Sequence, residues 1–269
     1  MESISAQAAG NLARLRQTKP LIHNITNFVV MNYTANALLA MGASPVMAHA
    51  PNEVEEMVSF AGALVLNIGT LTDDWIESMI KAGKKASAKQ TPIILDPVGA
   101  GATSLRTASA KKIIDAVDVR VIRGNASEIL SLRHSDSKTK GVDSIHSVDD
   151  AADTAKMLAQ ELRSTLAITG PKDLVTDGER VIQISNGHPL MASVTGTGCT
   201  ATVTMGAFLA VDDDPVSASA TALAYFGLAG EVAGEKASAP GSFMIEMLNA
   251  LYTITPEMLE GRCKIDEVS

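Results

Sequence analysis

The sequence predicts an α/β fold with a central, mainly parallel sheet and helices on both faces. Apolar runs of four or five residues alternate with longer segments whose apolar positions recur every three or four residues, the periods of strands and of one-sided helices. Such alternation makes parallel strands joined by helical crossovers. The runs also end in polar or glycine-rich clusters, and ligands of open α/β sheets bind outside the carboxyl ends of the strands.

Taken in order, residues 1–17 form an amphipathic helix, Leu21-Ile22 is a short apolar run, and Thr26-Asn27 is the capped start of a helix through Val29, Val30 and Ala37. Pro45-Val46 is a further short run. Leu64-Val65-Leu66-Asn67-Ile68, Ile93-Ile94-Leu95-Asp96, Val119-Arg120-Val121-Ile122 and Leu166-Ala167-Ile168-Thr169 are strands, and 73–88, 104–116, 126–132 and 148–162 are helices between them. Residues 174–177 and 181–184, separated by Gly178-Glu179-Arg180, form a hairpin. After Gly198 the pattern is helical over 201–211 and 216–236, rich in Ala and Gly that permit close packing.

The 269 residues fit a single α/β domain, and no Pro/Ser/Gly-rich stretch divides them, so one domain is expected over 1–269. With 22 Lys+Arg against 30 Asp+Glu the net charge is −8 and aromatic residues are 3%. That balance argues against nucleic acid, which needs a basic footprint and stacking rings, and against anionic membranes. Cys199 and Cys263 lack metal or redox spacing, which suits a reduced cytoplasm and no disulfide. The apolar stretch 218–230 ends at Glu231, short of the roughly 20 residues that span a bilayer.

Four ends converge on one rim: Asp96-Pro97-Val98-Gly99-Ala100-Gly101, Arg123-Gly124-Asn125-Ala126-Ser127-Glu128, Thr169-Gly170 and Gly196-Thr197-Gly198-Cys199. Two glycines ahead of a helix turn backbone N–H groups outward where the helix dipole is positive, an anion site. GxxxxGK[ST] and GxGxxG are both absent, so an ATP site here is neither a P-loop nor a Rossmann site. Asn125 and Glu128 have the spacing of a capping box, and Glu128 beside Asp96 also offers oxygen to Mg²⁺, directly or through water. Met47 is core filler or a soft wall for an apolar ring. His23 and His49, without a second ligand nearby in sequence, read as hydrogen-bonded histidines.

In these motifs the chain resembles the hydroxyethylthiazole kinase family, within the ribokinase-like superfamily. Leu21-Ile22-His23-Asn24-Ile25-Thr26-Asn27, Gly42-Ala43-Ser44-Pro45-Val46-Met47, Leu66-Asn67-Ile68-Gly69-Thr70-Leu71 and the rim clusters at 96–101, 123–128 and 196–199 occur in family order. The resemblance implies a three-layer ribokinase-like fold and phosphate transfer from ATP to the primary alcohol of 4-methyl-5-(2-hydroxyethyl)thiazole, in thiamine salvage. It implies a homotrimer with active sites between subunits, Asn27 and Met47 of one facing the 196–199 turn of its neighbour. Carried over by position, Asn27, Met47 and Gly196 bind the thiazole, Arg123, Thr169 and Gly198 the ATP, and Asp96 and Glu128 the Mg²⁺–phosphate region. Cys199 lies nearest the alcohol, where related sugar and pyrimidine kinases have aspartate as base. A helix start lowers its pKa and a bound triphosphate raises it, leaving the net sign open. A dehydratase of hydrated NAD(P)H on the same fold and a non-catalytic nucleotide sensor are the rival readings.

Overall fold

The computed structural model describes residues 3–133 and 148–268. Met1 and Glu2 of the expected first helix lie outside them. The elements follow the chain as α1 (Ile4–Thr18), β1 (Leu21–Ile25), α2 (Met31–Met41), β2 (Ser44–Val46), α3 (Val54–Val58), β3 (Ala63–Asn67), α4 (Asp73–Lys89), β4 (Ile93–Asp96), α5 (Ser104–Ala116) and β5 (Val119–Asn125). They continue as α6 (Ala126–Leu130), α7 (Val148–Leu162), β6 (Thr165–Thr169), β7 (Asp173–Thr176), β8 (Val181–Ile184), α8 (Thr197–Leu209), α9 (Pro215–Gly234), α10 (Pro240–Thr253), α11 (Pro256–Arg262) and β9 (Ile265–Glu267).

Among the described residues nine strands make one sheet in the order β2-β1-β3-β4-β5-β6-β7-β8-β9. The first six are parallel and the last three run antiparallel. Alternate strand residues face opposite sides. Ile22, Val65, Ile94, Val121 and Ala167 pack into one core with Leu12, Phe208, Tyr225 and Phe243, from α1, α8, α9 and α10. Leu64, Leu66, Ile93, Leu95, Ile122 and Leu166 pack into a second with Trp75, Met79, Ala110 and Leu158, from α4, α5 and α7. Two cores on two faces give the expected three layers. The helix caps follow local chemistry: Thr72 accepts from Trp75 N–H and Thr103 from Arg106 N–H, both at 3.3 Å.

Three expectations are corrected. The helix expected from Thr26-Asn27 begins at Met31, because Asn27 Oδ1 accepts the N–H groups of Val29 and Val30, at 3.1 and 3.3 Å, and holds residues 28–30 as a turn. The helix expected from Ala201 begins at Thr197, so Gly196 is its N-cap and Gly198 lies inside its first turn. The apolar stretch ending at Glu231 belongs to α9, whose 20 residues are long and apolar enough to cross a bilayer; 94% of its most apolar window is buried within the fold, so its hydropathy is that of a central core helix.

Candidate active site

The strand order builds the site. At the carboxyl ends of the parallel strands, neighbours in the sheet present in turn Met47, just past β2; Asn27, past β1; Asn67, ending β3; Asp96, ending β4; Arg123, in β5; and Thr169, ending β6. Strands lie about 4.8 Å apart, so this row spans roughly 24 Å. Between β1 and β3 the connections diverge to opposite sides, since β2 lies on one flank and β4 on the other. Such a switch point opens a crevice.

Asp96 is completely buried. Its Oδ2 accepts from Thr202 Oγ1 at 2.8 Å and Asn67 Nδ2 at 3.0 Å and lies 3.6 Å from Arg123 Nη1, whereas Oδ1 has no partner. Burial pushes its carboxyl above the usual range, and the Arg123 guanidinium pulls it back. Arg123 donates to Thr169 Oγ1 at 2.6 Å, and its buried Nε is also without a partner. Orphaned buried polar atoms point to a missing ligand. A cavity of about 1010 Å³ lies instead at the amino ends of β4–β6 among Lys84, Asp118, Arg120 and Asp212. None of its lining side chains among the described residues has an orphaned buried atom, so the carboxyl rim is the better candidate.

The α8 start faces that rim. Gly196 is left-handed at φ +83°, and a Cβ there would stand 2.7 Å from Val30 Cγ1. A Cβ on Gly198 would stand 2.6 Å from Arg123 Nη1, so glycine lets the first turn press against the guanidinium. No side chain caps this turn, which leaves its leading N–H groups for an anion.

Cys199 follows on the same turn. Its Sγ lies 3.2 Å from Asn67 Nδ2 and 3.6 Å from Asn27 Nδ2. Burial, then the Asp96 charge, pushes the thiol up to about 11, with the Asn67 and Asn27 donors opposing. The split site is corrected here for Asn27, which reaches Cys199 of its own chain because β1 and β3 are neighbours beneath α8. Met47 is half-buried at the edge of the row.

Glu128 makes the capping box that its spacing suggested. Its Oε2 accepts from Asn125 N–H and Asn125 Oδ1 accepts from Glu128 N–H, each at 2.9 Å, completing a capping box. Its Oε1 takes the Gly99 N–H at 2.8 Å, tying α6 to the loop after Asp96. His23 is buried with Nε2 at 2.8 Å from Ala48 O, and His49 stacks on Trp75 at 4.0 Å; neither joins the row. The sequence reading missed Asn67 and Arg106. Arg106 donates to Val98 O at 2.6 Å and Gly69 O at 2.7 Å, fastening two rim loops. Asn67 had a signal, a polar residue ending an apolar strand in the same way as Asp96, its register partner.

Sheet order and layering together define the class by fold, ribokinase-like. A ribokinase-like superfamily protein from Enterococcus faecalis superposes with a TM-score of 0.63 at 15% identity, over 92% of this chain and 89% of that one. Within that class the chain belongs to the hydroxyethylthiazole kinase family, whose family model matches residues 12–257. It is 66% identical to the hydroxyethylthiazole kinase of Desulfotalea psychrophila, over 100% of this chain and 98% of that protein. The structure of hydroxyethylthiazole kinase protein from Pyrococcus horikoshii has a TM-score of 0.90 at 45% identity, covering 98% of this chain and 99% of that one.

Proposed function

We propose that this kinase transfers the γ-phosphoryl group of ATP to the primary alcohol of 4-methyl-5-(2-hydroxyethyl)thiazole, in thiamine salvage, across the row just described. The order of that row carries the reading. Asn27 and Met47 on one flank, with Gly196 above, bind the thiazole; Arg123, Thr169 and Gly198 bind ATP; Asp96 and Cys199 lie between. The alcohol oxygen bonds to the γ-phosphorus as its bond to the leaving ADP oxygen breaks, and the alcohol proton departs to water as the new bond nears completion. Such a loose transition state asks for alignment and charge neutralisation more than for a strong base. The first turn of α8 and the Arg123 guanidinium meet the phosphate charge. Cys199, protonated at neutral pH, orients the alcohol.

Mg²⁺ suits the donors present. Among the described residues no group of three or more His, Cys, Asp or Glu forms a metal cage, but Mg²⁺ keeps its waters and needs only one or two carboxylates plus substrate phosphates. The unpartnered Oδ1 of Asp96 is one such donor; Glu128, with lone pairs left beyond its two N–H bonds, is the second, directly or through water. When bound, the ion supplies charge neutralisation at the β- and γ-phosphates.

We read residues 1–269 as one domain on the support of a single continuous sheet, and as cytoplasmic on the support of composition and two free thiols. A homotrimer closing the site is supported by exposed Phe28 and Val29, 64% and 66% accessible beside Asn27, and by exposed Met244, Ile245 and Tyr252 on α10. The test is labelled γ-phosphate transfer by fractions sized by light scattering, with Mg-ATP and a panel of hydroxyethylthiazole, hydroxymethylpyrimidine, sugars and hydrated NADH. Label on the thiazole alcohol, from trimeric fractions, is expected. Dehydration of hydrated NADH or nucleotide binding without turnover would overturn the reaction, and an active monomer would overturn the trimer.

A further inference from the structure

Among the described residues, the Asn67 carboxamide is held from every side. Its Oδ1 accepts from Gly69 N–H at 3.0 Å, a group that can only donate, so the amide has one orientation. Asn27 Nδ2 fills the second acceptor position at 2.8 Å. Its Nδ2 then faces Asp96 Oδ2 at 3.0 Å and Cys199 Sγ at 3.2 Å, which uses the full capacity of the side chain. Asn27 is oriented in turn by the Val29 and Val30 N–H groups on its Oδ1. The sulfur of Cys199 therefore faces two N–H donors, and its own S–H is turned away from both amides. Three elements, β3, β4 and α8, meet through this one side chain.

We propose that Asn67 is a positioning residue for phosphoryl transfer, holding the Asp96 carboxylate and the Cys199 thiol in one fixed mutual orientation while touching neither substrate. The proposal rests on the functional reading of Asp96 and Cys199 given above. A purely structural asparagine would alter stability alone; one that orients the reacting end would alter kcat while leaving both substrates bound. Transfer kinetics and Tm of the full chain, Asn67→Ser, Cys199→Ala and the double variant separate the two. Asn67→Ser is expected to lower kcat about 10- to 100-fold with both KM values within about threefold. In the Cys199→Ala background its loss should shrink, since one of the two groups it orients is gone. Asn67→Asp keeps both acceptor contacts, sets a carboxyl against Asp96 Oδ2 so that the two share a proton, removes the N–H facing the thiol, and should fall at least as far; it carries the test if the serine variant does not fold. Parental kcat in a folded variant, a loss confined to KM, or a loss of equal factor beside a Cys199→Ala that is itself impaired would overturn the proposal. Parental kcat in Cys199→Ala would overturn the thiol's role in the functional reading instead, and Asn67 would then stand or fall by the kcat and KM of its own variants.

Discussion

At residue scale the thiol is the informative group. A free cysteine at pKa about 8.5 keeps a few per cent thiolate near neutrality; here burial raises the pKa to about 11. The upward sign means the proton is held throughout the physiological range and released only in strong alkali, so the parent rate should not climb with thiol ionisation between pH 6 and 9. Cys199→Ala should lose less than about 10²-fold, because alignment is the larger contribution. Cys199→Asp should match or exceed the parent, since its carboxylate would meet the Asn27 and Asn67 donors now on sulfur. Single-turnover transfer across that pH range checks all three proteins. A rate that rises about tenfold per pH unit in the parent, and stays flat in Cys199→Ala, would make the thiolate the base. The sequence showed that Cys199 begins a helix and stands near an acid. It did not show the direction of its hydrogen, which depends on amides from β1 and β3, 172 and 132 residues away in the chain.

At the scale of elements, Glu128 fastens the start of α6 to the loop after β4, and its two oxygens each serve a different backbone N–H. A capping box alone would let glutamine preserve the cap and lose only charge. In the fold, glutamine has one oxygen for two donors, so one N–H must face an amide NH₂. The Asn125 N–H is exposed and the Gly99 N–H part-buried, so the lost bond costs about 1 kcal/mol. Glu128→Gln should therefore lower Tm and kcat together, as read by thermal unfolding and steady-state turnover; a parental Tm with depressed turnover would mean that the charge alone matters. The strands β3–β6 were legible as short apolar runs, β3 and β4 being buried along their whole length, and helices such as α5 and α7 because each buries a stripe of its own period. The edge strand β9 was not, because three residues with two exposed acids carry no period and its pairing depends on β8. The early start of α8 was hidden by Thr197 and Gly198, poor helix formers; close packing against Arg123 selects the glycine.

Over the whole molecule, two apolar cores clamp one sheet between helix layers, and the carboxyl end of that sheet is left polar. The alternation of strands and helices foretold the layers. It could not foretell that β2 flanks β1 opposite β3, the arrangement that turns six scattered chain segments into one row, with the residues proposed for the thiazole at one end and those proposed for the nucleotide at the other. That division is the central claim, and calorimetric titration tests it most directly. The parent, Asn27→Ala and Thr169→Ala are each titrated with hydroxyethylthiazole and, separately, with a non-hydrolysable ATP analogue and Mg²⁺. Losing one direct hydrogen bond to a ligand weakens binding by about 10-fold. Asn27→Ala should weaken the thiazole by about that factor and the nucleotide by less than twofold, with the reverse for Thr169→Ala. If both variants weaken the same ligand, or Asn27→Ala weakens only the nucleotide, the row is not divided as described and the account is contradicted.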